Sequence, residues 1–141
     1  MIISCDLLSV GAGAIVHQCN CRGVMGRGLA LAIRNRWPIV YQHYRSAYDR
    51  GLLRLGTIQP VQVSPSLWVI NLMGQDGWGT DRTRTDLDAL RTAWPKVSIW
   101  AAERGLTVYA PWMIGCGLAG GDWAVVQPLV EGLCDVAWCR Q

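Results

Sequence analysis

The feature that most limits what this chain can fold into is a repeated local pattern. An apolar run, "AIVHQCN", ends in the glycine-rich stretch "NCRGVMGRG" and continues into helix-forming residues. A second apolar run, "LTVYAPW", ends in "IGCGLAGGDW" and again leads into a helical pattern. Short apolar runs that stop at glycine and then turn helical read as buried strand, loop, helix. Glycine costs backbone entropy, so three of them (Gly23, Gly26, Gly28) before a helix mark a loop needing shapes or close approaches that side chains forbid. Two such units in one chain favour an α/β layered domain with a largely parallel sheet and helices on both faces.

The rest of the chain fits that frame. "MIISCDLL" opens as a short strand. A helix runs from Gly26 to near Trp37, where Pro38 stops it. A second covers "PIVYQHYRSAYDRGL", with Pro38 at its start and Gly51 at its end. "GTIQPVQV" and "LWVINLMG" pair antiparallel through Ser64-Pro65-Ser66. A long helix spans Arg84 to Arg104 with Gly105 as its stop, kinked or broken at Pro95. "DWAVVQPLVEGL" is a helix capped by Asp122, and "DVAWCR" a final strand. With 141 residues and no linker, repeat or low-complexity segment, one domain across 1–141 is expected.

Composition narrows the partners. A net charge of +3 is mild, and Arg22, Arg27, Arg34 and Arg36 are interrupted by apolar residues, so no dedicated duplex-DNA groove is evident. No apolar run is long enough to span a bilayer, and no membrane partner is expected. Cys5, Cys19, Cys21, Cys116, Cys134 and Cys139 contain no CxxC pair and read as free thiols of a cytoplasmic protein. No metal site and no cofactor are expected.

In open α/β sheets ligands bind beyond the carboxyl ends of strands, and a glycine loop entering a helix offers N–H groups and a favourable dipole to anions. Two such loops on neighbouring strands can clasp a diphosphate. Neither is a P-loop, since Lys-Ser/Thr is missing, and G-x-x-G-x-G is not the dinucleotide fingerprint.

"DLLS", "AIVHQCNCRGVMGRGLALAIRNRWP", "NLMGQDGWG" and "APWMIGCGLAGGDWAVV" together resemble the macrodomain family. Within it they are similar to the branch of terminal ADP-ribose glycohydrolase-like proteins, DNA ADP-ribosyl glycohydrolase antitoxins and ADP-ribose 1″-phosphate phosphatases. The resemblance implies a three-layer α/β/α sandwich around a mixed, mostly parallel six-stranded sheet. It implies ADP-ribose, free or on protein or nucleic acid, as the partner of a monomer. By the same resemblance Asp6 faces the adenine amino group with the Leu7 N–H beside it, and Asn20 faces the distal ribose. Gly23, Val24, Met25, Gly26 and Gly28 form the first phosphate loop. Ile114, Gly115, Cys116, Gly117, Leu118 and Ala119 form the second, and Gln75 approaches the cleft.

His17 matches a histidine of the phosphatases, and two readings stand: a proton carrier at the reacting bond, or a buried imidazole bonding a backbone group at a strand end. Cys116 is a loop-packing residue or a nucleophile. Trp78 shields the ligand or covers the core, and Arg82 and Arg84 reach a phosphate or solvent. The chain departs from the glycohydrolases in two places. "INLMGQ" carries no lysine, and Ala119 stands where they have an aspartate. The implied catalysis is therefore activation of water by His17, Asp122 or substrate oxygens. The alternative is a reader that binds ADP-ribose without cleaving it.

Overall fold

A computed structural model describes residues 1–78 and 83–141. The order is β1 (Ile2–Ser4), a 3-10 turn (Leu7–Ser9), β2 (Gly13–Asn20), α1 (Gly28–Arg36), α2 (Pro38–Asp49), β3 (Ile58–Ser64) and β4 (Leu67–Gln75). Then follow α3 (Leu87–Arg104), β5 (Val108–Pro111), α4 (Trp123–Glu131) and β6 (Ala137–Arg140). The strands form one six-stranded sheet in the order β1-β6-β5-β2-β4-β3. Only the β3–β4 pair is antiparallel. The mixed, mostly parallel sheet expected from the sequence is present.

β2 explains the arrangement. It is buried along its length and lies between β4 and β5, so both faces need apolar cover and the run reads as continuous rather than alternating. Ala14 and Val16 join one core with Ile70, Leu72, Trp94, Val97, Val126 and Trp138, under α3 and α4. Ile15 and Cys19 join the opposite core with Met25, Ile33, Val40, Tyr44 and Met73, under α1 and α2. Helices on both faces of a central sheet give the three layers.

Element ends differ from the sequence reading where side chains compete for the backbone. α1 starts at Gly28, two residues later than expected, because 26 and 27 remain in the loop. α3 starts at Leu87 rather than Arg84. Asp86 caps it, accepting from the Ala89 N–H, while Thr85 pairs back onto Gln75 in a single antiparallel bridge. α3 continues through Pro95 as one helix, with the buried Trp94 and Val97 holding that turn against the sheet. α4 is capped by Asp122 as expected.

The cysteines need a correction. Cys5 and Cys139 form a disulfide, while Cys19, Cys21, Cys116 and Cys134 are free thiols. β1 and β6 are parallel neighbours, and Ile3 pairs with Cys139, which brings the two sulfurs together. Among the described residues no helix is long and apolar enough to cross a membrane.

Candidate functional site

β5, β2 and β4 are adjacent and parallel, so their carboxyl ends open side by side. The first glycine loop leaves β2, the second leaves β5, and both border one cavity of about 430 Å³. That volume lies in the range of small-molecule sites.

The cavity wall contains Asn20, Val24, Gly26 and Gly28 of the first loop. It contains Ile114, Gly115, Gly117, Leu118 and Ala119 of the second, with His17, Gln75 and Trp78. Most of the expected site residues therefore meet. Asp6, Leu7, Gly23, Met25, Cys116 and Asp122 do not line it. Asp6 accepts from the Leu8 N–H (3.0 Å) and the Ser9 hydroxyl (3.2 Å), and Leu7 is in the core. Gly23 lies under the Tyr48 ring, so close that a Cβ would stand 2.7 Å from it. Met25 is buried beneath its loop. The Cys116 thiol donates to the Ile114 carbonyl, and burial pushes it up to about 11, against a thiolate nucleophile. Asp122 is exposed and accepts from the Ala124 N–H at 3.0 Å. Arg82 lies outside the described residues.

Asn20 organises the first loop. Its Oδ1 accepts from the Arg22 N–H (2.8 Å) and the Tyr44 hydroxyl (2.7 Å), and its amide donates to the Val24 carbonyl (2.7 Å). α1 begins without a side-chain cap: Arg27 holds the N-cap position and makes no capping bond. The N–H groups of Gly26, Gly28, Gly117 and Leu118 find no acceptor among the described residues. Unpaired donors thus stand on two loops that border the cavity, one of them at a helix N-terminus, where backbone N–H groups and the helix dipole favour negative charge. Among described residues of the wall Arg27 is the one fixed positive charge, and no carboxylate is present.

His17 forms part of the floor and is almost fully buried. The Asn71 amide nitrogen donates to Gln59 Oε1 (2.9 Å), which turns the Asn71 oxygen toward His17. That oxygen accepts from His17 Nε2–H at 2.6 Å and leaves Nδ1 unprotonated. Burial lowers the imidazole pKa to about 4 against the opposing Asn71 bond, so His17 is neutral at pH 7. His17 is thus buried, as one of the two readings had it, but its partner is the Asn71 side-chain amide and not a backbone group.

Sequence reasoning missed Gln18, Cys19, Arg27, Leu29, Ala30, Pro111, Trp112 and Met113 in the wall. Gln18 had a readable signal. It continues the Ala14, Val16 alternation onto the face opposite His17, toward the second loop. A bulge between Cys19 and Asn20 then breaks the alternation and puts Asn20 against Tyr44. Met113 carries a positive φ of 63°, a conformation that side chains resist and that clusters at functional sites.

A sheet of this order with two glycine loops at one cleft defines the macrodomain class, and comparison agrees. The Macro domain family matches residues 16–130, and the chain belongs to that family. A DNA ADP-ribosyl glycohydrolase of Mycobacterium bovis is 30% identical over 125 residues, 86% of this chain and 35% of the relative. An ADP-ribose 1″-phosphate phosphatase of Aspergillus clavatus is 36% identical over 61 residues, 43% of this chain and 30% of the relative. The chain thus spans about a third of each relative's length. The macrodomain protein of Streptomyces coelicolor superposes with a TM-score of 0.82 at 33% identity, covering 99% of this chain and 97% of that one.

Proposed function

We propose that residues 1–141 act as one monomeric macrodomain that binds ADP-ribose and hydrolyses a bond at its distal ribose. The substrate is ADP-ribose 1″-phosphate or ADP-ribose attached to protein or nucleic acid. One observation carries the reading: two glycine loops with unpaired N–H groups border one cavity, and Arg27 stands in its wall. A diphosphate, which offers only acceptors, matches such a set. The distal ribose then lies toward Asn20 and the His17 floor. The names of the Mycobacterium and Aspergillus relatives, both hydrolases of ADP-ribose linkages, support the reaction class.

The attacking group in this reading is water. Gln75 occupies the end of β4, and Lys96 is committed elsewhere, its ammonium donating to the Gly56 carbonyl at 2.8 Å. Neutral His17 offers Nδ1 as an acceptor to water or a ribose hydroxyl. With a pKa of about 4 it is a weak base, which leaves substrate phosphate oxygens as the proton acceptor. Asp122, held as the α4 cap outside the wall, is not used. A cytoplasmic location is part of this proposal: the four free thiols favour it, and the Cys5–Cys139 disulfide counts against it.

A phosphorus NMR time course with ADP-ribose 1″-phosphate tests it. The expected result is shifted diphosphate signals and release of inorganic phosphate. Shifted signals without release, repeated with ADP-ribosylated DNA and protein, favour the second reading, a module that binds without cleaving. The absence of any lysine or carboxylate among the described wall residues speaks for that reading. Unshifted signals overturn both.

A further inference from the structure

Gly74, near the end of β4, has no positive φ that would call for glycine. What its missing side chain admits is Gln18: a Cβ at 74 would stand 2.8–2.9 Å from Cδ, Oε1 and Cγ of that residue. A Cβ on Gly115, in the second glycine loop, would stand 2.7 Å from the same Oε1. The Gln18 carboxamide thus lies between two glycines of different elements, with no room for a methyl group on either side.

Its polar atoms tie three segments together. Nε2 donates to Gln75 Oε1 and to Thr85 Oγ1, both at 2.9 Å. The Thr85 hydroxyl, accepting from Gln18, spends its own proton on the Gly115 carbonyl at 2.6 Å. Gln75 in turn donates to the Gly77 carbonyl at 2.7 Å. The direction of every bond is set, and the series runs from β2 through Thr85, which precedes the Asp86 cap of α3, to the second loop. The remaining atom, Gln18 Oε1, is buried without a partner. A buried acceptor left unpaired is unfavourable, and such groups persist where the surrounding geometry is constrained for another reason.

Resting on the ADP-ribose reading above, we propose that Gln18 is a positioning residue. Through Thr85 it holds the Gly115 peptide, and with it the Gly117 and Leu118 N–H donors, at the height where they meet the diphosphate. Gly74 is a glycine in order to admit it, whereas Gly115, with a φ of 74°, needs glycine for its backbone as well. Gln18 does not act on the reacting bond. Its contribution is the fixed spacing between the second loop and the β2–β4 edge.

Calorimetry with ADP-ribose and amide NMR spectra of the free protein test this on Gln18→Met, Gln18→Ala, Gly74→Ala and the Gly74→Ala/Gln18→Ala double variant. Gln18→Met keeps the volume without the hydrogen bonds and guards against a folding defect, which thermal melting checks. Affinity is expected to fall about tenfold in Gln18→Met, the scale of one or two lost hydrogen bonds. The Gly115 and Gly117 amide signals move while those of Gly23 and Gly26 stay. Gly74→Ala gives a similar loss alone and adds little when Gln18 is already alanine, as expected for residues in contact. Unchanged affinity in Gln18→Met, unmoved Gly115 and Gly117 signals, or additive losses would each overturn the proposal. If the native protein binds no ADP-ribose, the functional reading falls by itself. The amide shifts and the melting temperatures of the four variants then still decide whether Gln18 positions the loop.

Discussion

At the scale of single residues, His17 shows how burial redirects chemistry. The same imidazole that reads in sequence as a proton carrier is neutral in the fold, because desolvation outweighs its bond to Asn71. Its folded pKa of about 4 lies below the ordinary value of 6.5, so the unfolded chain binds the extra proton first. Stability is therefore full above about pH 6.5 and is lost as the pH falls toward 4, by up to about 3 kcal/mol. Denaturant titrations between pH 7 and 4 should show this loss, and His17→Gln should flatten it. An unchanged pH profile in the variant would contradict the assignment. Tyr44 gives a second test. Its one hydroxyl proton is shared between the backbone and side-chain oxygens of Asn20, so Tyr44→Phe removes that donor and leaves Oδ1 with the Arg22 N–H. A loss of about 1–3 kcal/mol is expected by denaturation, with weaker ADP-ribose binding as the loop loosens. Asn20 itself was legible as a site residue. Its role as the organiser of its own loop was not, since that depends on Tyr44, 24 residues away on α2.

At the scale of elements, the open N-terminus of α1 carries a specific expectation. Serine at an N-cap satisfies an N–H that the arginine at 27 leaves free. Arg27→Ser should thus raise stability by about 1 kcal/mol and weaken ADP-ribose binding, since it removes a cation and competes for the donors. Stability and affinity moving in the same direction would argue against an anion site there. The strand–loop–helix units were plain in the sequence because glycine and apolar runs are local signals. The end of α3 was less so: Thr85 reads as helix by pattern, but pairing with Gln75 and the Asp86 cap remove it from the helix. The face of Gln18 was readable from the Ala14, Val16 alternation, but its partners were not, since Gln75 and Thr85 lie 57 and 67 positions along the chain and no local signal joins them.

At the scale of the whole molecule, charge is unevenly shared. Between Leu7 and Gln75 stand Arg22, Arg27, Arg34, Arg36, Arg45, Arg50 and Arg54 against Asp49 alone. These residues belong to the first loop, to α1 and α2, and to the stretch just after them, and Arg27 stands in the cavity wall. Association of ADP-ribose, an anion, should therefore slow as salt is raised, while dissociation changes little. Stopped-flow measurements across ionic strength check this, and a salt-independent on-rate would count against it. The Cys5–Cys139 pair could not be read from spacing, since 134 positions separate the two and only the β1–β6 pairing brings them together. On the chain-entropy argument a loop of that length contributes about 5 kcal/mol. Dithiothreitol should lower the denaturation midpoint accordingly, and Cys5→Ser/Cys139→Ser should abolish the difference.

That bond also changes what the protein is as a mechanical object. With β1 and β6 joined through sulfur, the oxidised chain is a closed ring from Cys5 to Cys139. Tension applied at residues 1 and 141 passes from Cys5 to Cys139 without travelling through the intervening chain, so the cavity lies off the force path. Pulled in a single-molecule instrument, the segment between Cys5 and Cys139 should not lengthen in the oxidised protein and should unravel in the reduced one.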